Sequence, residues 1–319
     1  MNSQRSSSKA SSTRFWRNPV RGGFAMSTAP KADKFKAGLI QPSVSNDMAE
    51  NVAFIREQVR LVRDAGADFI MTPENTGLTG ANREDTLAKA QTEETHGMLA
   101  ACRASARETG AWLLLGSIHV RVPGEEQIRN RSYLIDSSGG IAASYDKIHM
   151  FDVQLAGGEK YRESSTFKPG DKAVLAETPW GVLGMTICYD LRFPYLYREL
   201  AHAGATMLSI PSSFTVPTGK AHWHTIMKAR AIETGCYVFA PAQVGTHKGS
   251  NRKTYGHSLV VAPWGEVLAD AGGEDTGFIV ADIDMAKVIE ARQMVPSLQH
   301  DRKYAAPVLH KPSVARAAE

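Results

Sequence analysis

The feature that most constrains the fold is a regular alternation of short apolar runs with segments of helical period. "FKAGLIQ" and "DFIMTPE" are typical of strands. Between them, "MAENVAFIREQVRLVRDAG" places four apolar side chains on one helical face before a stop at Gly66, namely Val52, Ile55, Val59 and Val62. Because strands that alternate with helices are typical of α/β proteins, the sequence predicts that fold class.

The same pattern continues to the end of the chain. It predicts further strands at "AWLLLGSIHV", "ATMLSIPSSF", "CYVFAPAQVG", "TYGHSLVVAP", "EVLADA" and "GFIVADID", and hairpins at "RSYLIDSSGGIAASYDKI" and "AVLAETPWGVLGMTICYD". It predicts helices over residues 84–109, 195–203, 220–234 and 285–293. Some strand pairs are joined by turns too short for a parallel crossover, so the sheets are expected to be mixed.

The chain contains no linker between residues 37 and 300 long enough to separate two domains. We therefore expect one domain over residues 36–305, preceded by an extension of residues 1–35 and followed by a tail of residues 306–319. At 319 residues with 43% hydrophobic and 22% charged side chains, the chain has the composition of a soluble globular protein. No apolar run approaches the roughly 18–20 residues that a membrane span requires.

The net charge of +4 belongs to the N-terminal extension. Residues 1–36 carry eight Lys or Arg and one acidic residue, whereas the remainder has a slight acidic excess, which gives no case for binding nucleic acid. Two interpretations of the extension stay open. A disordered extension, with a true start at Met26, would leave the protein in the cytoplasm, and a Ser- and Arg-rich transit peptide would take it to mitochondria.

Several residues that can carry chemistry are more simply explained by packing. The three cysteines are widely separated and give neither a disulfide framework nor the spacing of a metal site. Cys102 and Cys236 are expected to fill the core. His222 and His224 are two positions apart on a predicted helix, so they do not share a face and are not expected to form a metal pair.

Three reactive side chains stand directly after predicted strands. Glu74 follows "DFIMTP", Lys147 follows the second strand of a hairpin, and Cys188 ends an apolar run in "TICYDLRFP". Ligand sites in α/β proteins collect where strands end. A carboxylate base, a thiol nucleophile and an ammonium for the oxyanion would suit acyl transfer. From spacing alone, a buried thiol and two solvated loop charges are the simpler explanation of these residues.

Six segments in order resemble the carbon–nitrogen hydrolases of the nitrilase superfamily. They are "TPENTGL", "YDKIHMFD", "ESSTFKPGD", "ICYDLRFP", "PSSFTVPTGKAHWHTIMKARAIE" and "GHSLVVAPWGEVLADAG", and the resemblance runs from about residue 37 to about residue 304. It implies a four-layer α-β-β-α sandwich. It also implies pairing through the outer helices, as a homodimer or a larger homo-oligomer.

The resemblance assigns roles to individual residues. Glu74 would be the general base, Lys147 would stabilise the oxyanion and Cys188 would be the nucleophile. Glu163 would support them, either by orienting the lysine or by sharing proton transfer, and the backbone N–H of Tyr189 would be a second oxyanion donor. No metal or organic cofactor is implied. Repulsion between the two carboxylates is expected to raise the pKa of one of them.

The residues that contact the substrate are less clearly marked. Phe214 and Thr215 follow the strand after the nucleophile and are expected to line the pocket. Asp190 and Arg192 are expected to anchor the turn after the nucleophile. A substrate carboxylate would need a cation. The candidates are Arg192 and the two basic residues of "KYR", Lys160 and Arg162.

The "CYDLRFP" and "APAQVG" segments are similar to the branch that includes deaminated glutathione amidase. That similarity implies a small-molecule amide as partner: deaminated glutathione, cleaved to 2-oxoglutarate and Cys-Gly. The ω-amidase reaction on 2-oxoglutaramate is the alternative. A catalytically idle scaffold is a further alternative, since the helical faces of this fold also mediate assembly, but a scaffold would not need Glu74, Lys147, Glu163 and Cys188 together.

Overall fold

The computed structural model describes residues 33–310, except 156, 157, 159 and 251. The predictions for residues 1–32 and 311–319 therefore lie outside the described residues. Within the described part of the chain, no helix has both the length and the apolar character needed to cross a membrane.

The described residues form sixteen strands and six helices, with short 3₁₀ turns at 93–95, 163–165, 188–192 and 297–299. The strands are β1 (Lys34–Gln41), β2 (Phe69–Met71), β3 (Trp112–Val120), β4 (Arg129–Ile135), β5 (Ile141–Asp146), β6 (Asp152–Gln154), β7 (Lys160–Arg162), β8 (Val174–Thr178), β9 (Gly181–Met185), β10 (Met207–Ser209), β11 (Tyr237–Ala240), β12 (Val244–Thr246), β13 (Lys253–Tyr255), β14 (Leu259–Val261), β15 (Val267–Asp270) and β16 (Gly277–Asp284). The helices are α1 (Met48–Asp64), α2 (Arg83–Lys89), α3 (Gly97–Thr109), α4 (Pro194–His202), α5 (Val216–Thr234) and α6 (Ala286–Met294).

Two six-stranded sheets make up the centre of the fold. Their strand orders are β16-β1-β2-β3-β4-β5 and β15-β14-β11-β10-β9-β8. In each sheet three neighbouring strands are parallel, β1-β2-β3 in the first and β9-β10-β11 in the second, and the flanking pairs are antiparallel. The predicted α/β class with mixed sheets is confirmed.

The side-chain alternation of the strands produces the layers. On β2, Phe69 and Met71 pack into the core that also holds Leu208 of the second sheet, whereas Ile70 packs among the buried residues of α1 and α3. Successive side chains of a strand point to opposite faces, so one run of three apolar residues serves both interfaces. Helices α4 and α5 contribute buried side chains to the second sheet's core. The order of layers is helix, sheet, sheet, helix.

Helix α1 agrees closely with its predicted pattern. Ile55, Val59 and Val62 are buried, while Val52 lies only partly buried at the edge of that face. The Asp47 side chain accepts hydrogen bonds from the first backbone N–H groups of the helix. Gly66 follows the helix with a φ of 94°, a left-handed conformation that glycine adopts without strain.

The helix predicted over residues 84–109 is wrong as a single element. It is divided into α2 and α3, because the chain between them turns along the end of β3. Gln91 forms a bridge with Val120, its carbonyl accepts the N–H of Arg121, and its side chain accepts the N–H of Gly97 at the start of α3. This tertiary contact interrupts the predicted helix over residues 90–96. Helix α5 also begins earlier than predicted, at Val216, with Pro217 in its first turn.

The topology brings strand ends from both sheets together. β2 is parallel to β3, and β5 runs in the same direction because two antiparallel pairings separate it from β3. Both strands therefore end at one edge of the first sheet. The end of β9 in the second sheet lies beside them. The segment between β5 and β8, which was predicted as a loop, contains the small β6-β7 hairpin and the turn at Glu163.

Candidate active site

Glu74, Lys147 and Glu163 form a buried cluster of charged side chains. Lys147 Nζ lies 2.8 Å from Glu74 Oε1 and 2.9 and 2.8 Å from the two carboxylate oxygens of Glu163. The side chains are 2%, 4% and 13% exposed for Lys147, Glu74 and Glu163 respectively. All three ammonium protons have acceptors in these two carboxylates, so the lysine is held in one orientation.

Both carboxylates are fixed by further donors. Glu74 Oε2 accepts the Ser213 N–H at 2.9 Å, and Glu163 Oε2 accepts the Phe151 N–H at 2.6 Å. Asn130 Nδ2 lies 3.0 Å from Glu74 Oε1 and 3.1 Å from Glu163 Oε1, so one amide connects the two. Asn130 was not expected from the sequence.

Cys188 has a backbone conformation that is uncommon for a side chain larger than glycine. Its φ is 48°, and its N–H donates to the Pro211 carbonyl at 3.0 Å. Such a conformation costs about 1–3 kcal/mol and persists only where the surroundings hold it. The next N–H, that of Tyr189, has no acceptor among the described residues, so it is free to serve a ligand oxygen.

Asp190 anchors the 3₁₀ turn that begins at Cys188. Its buried carboxylate accepts hydrogen bonds from the Ile187 N–H at 2.8 Å, the Tyr145 hydroxyl at 2.7 Å and the His149 N–H at 3.0 Å. The expectation that Asp190 anchors the turn agrees with these contacts. A second anchor comes from α5, where Arg230 donates twice to the Leu191 carbonyl.

The electrostatic setting defines the protonation state of the cluster. Burial, followed by the charge of Glu74, raises the pKa of the Cys188 thiol well above its ordinary value. Burial alone would raise the pKa of Glu74, but the charge and hydrogen bond of Lys147 outweigh it and lower that pKa. Burial would lower the pKa of Lys147, but the charges of Glu163 and Glu74 raise it. At neutral pH the cluster therefore holds a thiol, a Glu74 carboxylate and an ammonium.

The expected rise of a carboxylate pKa is not found at Glu74. The prediction considered the repulsion between the two carboxylates but not the position of the cation. Lys147 lies between them and bonds both, so attraction to the ammonium exceeds repulsion between the carboxylates.

The cluster lies in a cavity of about 500 Å³. Tyr189, Phe214 and Thr215 line it, as do the cationic side chains Lys160 and Arg162. Arg192 is not part of the lining. Its guanidinium instead lies over the rings of Tyr189 and Phe214, 5.9 and 5.6 Å from their centroids, and contacts His222, so the expectation that it binds a substrate carboxylate lacks support.

Two more cations and a histidine line the cavity without having been expected. They are Arg83, Arg252 and His119. Arg252 donates to the Ser213 carbonyl at 2.8 Å, and its charge contributes to the lowered pKa of Glu74. Burial lowers the pKa of His119 to about 4, so this imidazole is neutral at neutral pH. Its Nε2 pairs with Asn75 Oδ1 at 2.8 Å.

The remaining cysteines and the histidine pair lie elsewhere. Cys102 and Cys236 are buried free thiols in the core, as expected, and burial raises the pKa of Cys102 to about 12. His222 contacts Arg192, whereas His224 contacts Asp270. The two histidines therefore do not form a pair.

Comparison with known proteins identifies relatives across most of the chain. A family model described as carbon–nitrogen hydrolase matches residues 36–293. The chain is 38% identical over 266 residues to a deaminated glutathione amidase of Yersinia enterocolitica, covering 83% of this chain and 92% of that protein. It is 42% identical over 258 residues to a deaminated glutathione amidase of Mus musculus, covering 79% of each.

The fold is also that of a solved relative. The structure of the Caenorhabditis elegans nitrilase and fragile histidine triad fusion protein NitFhit matches with a TM-score of 0.79 and 35% identity, over 85% of this chain and 66% of that chain. The family match includes every strand and loop that carries Glu74, Lys147, Glu163 and Cys188.

Proposed function

The chain belongs to the carbon–nitrogen hydrolase family of the nitrilase superfamily and is an amide-hydrolysing enzyme, and from that premise we propose that it cleaves deaminated glutathione to 2-oxoglutarate and Cys-Gly. The relatives at 38% and 42% identity carry the name of that activity. The observation that carries the proposal is the buried Glu74–Lys147–Glu163 cluster in a cavity shared with Cys188 and lined by cations.

In the proposed first step, Cys188 Sγ attacks the amide carbonyl carbon and Glu74 accepts the thiol proton. A base is required because the pKa of the thiol is raised and the resting sulfur is protonated. Lys147 Nζ and the Tyr189 N–H stabilise the oxyanion. Once protonated, Glu74 loses its charge and binds Lys147 less strongly, which frees one ammonium N–H to turn to the oxyanion at the moment when negative charge appears there.

In the proposed second step, Glu74 returns the proton to the departing amine, the C–N bond breaks and a Cys188 thioester remains. Water then attacks the thioester carbonyl, Glu74 accepts its proton, and the acid is released with the thiol restored. Glu163 keeps its bonds to Lys147 throughout, so we assign it to positioning rather than to proton transfer.

The cations of the cavity suit a substrate with a carboxylate at each end. Arg252 lies near the cluster, half-buried, where its charge acts on Glu74. Arg83, Lys160 and Arg162 are exposed at the rim. We assign the 2-oxo acid carboxylate to Arg252 and the glycine carboxylate of the Cys-Gly part to the rim. 2-Oxoglutaramate has only the first of these carboxylates.

The assignment is tested with Arg162→Ala and Lys160→Ala on both amides. Each should raise KM for deaminated glutathione by about 10-fold, since a charge-assisted hydrogen bond contributes roughly 1.5–3 kcal/mol, while KM for 2-oxoglutaramate stays constant. Lys168→Ala, whose side chain pairs with Glu125 outside the cavity, is the matched control. A higher kcat/KM for 2-oxoglutaramate in the parent enzyme would instead identify an ω-amidase. No turnover of either amide would refute the substrate assignment.

We also propose that the enzyme is a homodimer that pairs through an outer surface formed by α5, α6 and the turn between β14 and β15. Exposed apolar side chains there support the proposal, with Ile232 at 56%, Trp264 at 50% and Ile289 at 61% exposure. Light scattering on the parent and on Ile289→Glu provides the test. A parent that is monomeric at micromolar concentration would exclude the dimer.

A further inference from the structure

Two histidines and an aspartate from three separate elements meet at a site outside the catalytic cavity. His224 lies on α5, His257 in the turn before β14, and Asp270 at the end of β15. His224 Nε2 is 2.9 Å from Asp270 Oδ2, and His257 Nδ1 is 2.9 Å from Asp270 Oδ1. None of the three lines the catalytic cavity. We propose that these side chains form a binding site for a divalent transition-metal ion such as Zn²⁺.

The donor set and its spacing fit that ion. Two imidazole nitrogens and a carboxylate are ligands that Zn²⁺ commonly takes, and three protein ligands leave a fourth position for water. The three donor atoms all lie within 4.8 Å of one another. Tetrahedral ligands at roughly 2.0–2.1 Å from zinc lie about 3.3 Å apart, so small side-chain rotations suffice. Binding requires neutral imidazoles with their protons on the outward nitrogens, His224 Nδ1 and His257 Nε2.

The ligands are also held in place by the protein around them. His257 has a φ of 59°, and its carbonyl accepts the indole N–H of the buried Trp223 at 2.9 Å. Its ring stacks on Tyr255 with centroids 4.4 Å apart. Asp270 Oδ1 accepts the Gly272 N–H at 2.9 Å. Outer contacts of this kind orient ligands and tighten metal binding.

The site is accessible and its surroundings favour a cation. The side chains of His224, His257 and Asp270 are 36%, 23% and 30% exposed. The adjoining groove is lined by Glu274 and Asp275 with one lysine, Lys220. A bound ion would connect α5 to the β14-β15 hairpin and would therefore stabilise the folded state.

The test uses the full chain, free of affinity tags and treated with a chelator, in a Cys188→Ala background that removes the reactive thiol. Titration calorimetry should show about one Zn²⁺ per chain, and Co²⁺ should give visible absorption without the ultraviolet band of a thiolate ligand. Asp270→Asn and His257→Asn should each weaken binding by at least about 10-fold. Asparagine tolerates the positive φ of position 257.

His222→Gln is the matched control, because that histidine is two residues from His224 on α5 and contacts Arg192 instead. It should bind Zn²⁺ like the parent, and Zn²⁺ should raise the melting temperature of both but not that of Asp270→Asn. Absence of stoichiometric binding would overturn the proposal. So would binding of unchanged affinity in both site variants, since the ion would then lie elsewhere.

Discussion

Replacement of Glu163 by glutamine tests whether this carboxylate positions Lys147. Glu163 accepts four hydrogen bonds, two from Lys147 Nζ, one from Asn130 Nδ2 and one from the Phe151 N–H. Glutamine is isosteric but offers one oxygen and one NH₂ group. The amide has two orientations, and in both its NH₂ group faces other donors. In one orientation these are the ammonium and Asn130, and in the other the ammonium and the Phe151 N–H.

The expected effect follows from these contacts. Lys147 would lose one of its two anionic partners and gain a repelling N–H, so its Nζ should move away from the position that the proposed oxyanion contact requires. Misplacement by about 1 Å of a catalytic group costs roughly 10²-fold in rate. We expect Glu163→Gln to lower kcat by about 100-fold, with KM nearly unchanged, because in the proposed mechanism the ammonium acts on the oxyanion rather than on the bound amide.

The assay compares steady-state kinetics and thermal unfolding of the two proteins with those of a matched control. Glu125→Gln is suitable, since Glu125 also pairs with an arginine and a lysine, Arg129 and Lys168, but lies outside the cavity. It should retain parental kcat. Glu163→Asp, which keeps the charge, should recover part of the lost rate. Parental kcat in Glu163→Gln would refute the positioning role, and an equal loss in Glu125→Gln would attribute the effect to general destabilisation.

Three further outcomes are expected. Cys188→Ala should abolish turnover, and intact-mass spectrometry of quenched reactions should show an acyl adduct in the parent that the variant lacks; an adduct in both would place the nucleophile elsewhere. Asn130→Leu, which removes the amide shared by the two carboxylates, should lower kcat by about 10-fold or more, and a parental rate would reduce Asn130 to a packing role. Burial lowers the pKa values of His96, His119 and His247 to about 4. The contribution of these neutral histidines to the free energy of unfolding is therefore fully present above pH 6.5, near the pKa of an unfolded histidine, and is lost as the pH falls towards 4. Urea unfolding at pH 7.5 and 5 should differ by about 2 kcal/mol per histidine, and equal midpoints would contradict the buried neutral state.

The sequence was informative where topology alone determines position. Glu74, Lys147 and Cys188 each follow a strand, and strand ends converge in α/β folds whatever the loops do. Glu163 could be found only through the family resemblance. It stands in a polar segment typical of solvated loops, and only the fold of the β6-β7 hairpin brings it within 2.8 Å of Lys147.

Other residues depended on contacts that no local pattern encodes. Asn130 did leave a signal. The first four residues of β4 alternate between partly exposed arginines and buried polar residues, and an asparagine facing inward requires a partner. Arg252 left none, since it lies in a polar stretch and reaches the cavity through tertiary structure. The break between α2 and α3 was hidden for the same reason: the bridge from Gln91 to Val120 joins residues 29 positions apart.

In the mechanism we propose, the resting state of the cluster would couple the reaction to substrate binding. A thiol whose pKa is raised by burial does not act as a free nucleophile, and an ammonium with both carboxylates as partners has no N–H to spare. In the mechanism we propose, transfer of one proton from Cys188 to Glu74 would change both conditions at once, since it would create the thiolate and release an ammonium donor. The proton transfer would be favourable only when the sulfur can bond to a carbonyl carbon and the carbonyl oxygen can accept the freed ammonium N–H. By this proposal a bound amide would complete the site. The contacts with Pro211 and Asp190 hold the strained φ of Cys188, which would keep the sulfur in place for the attack.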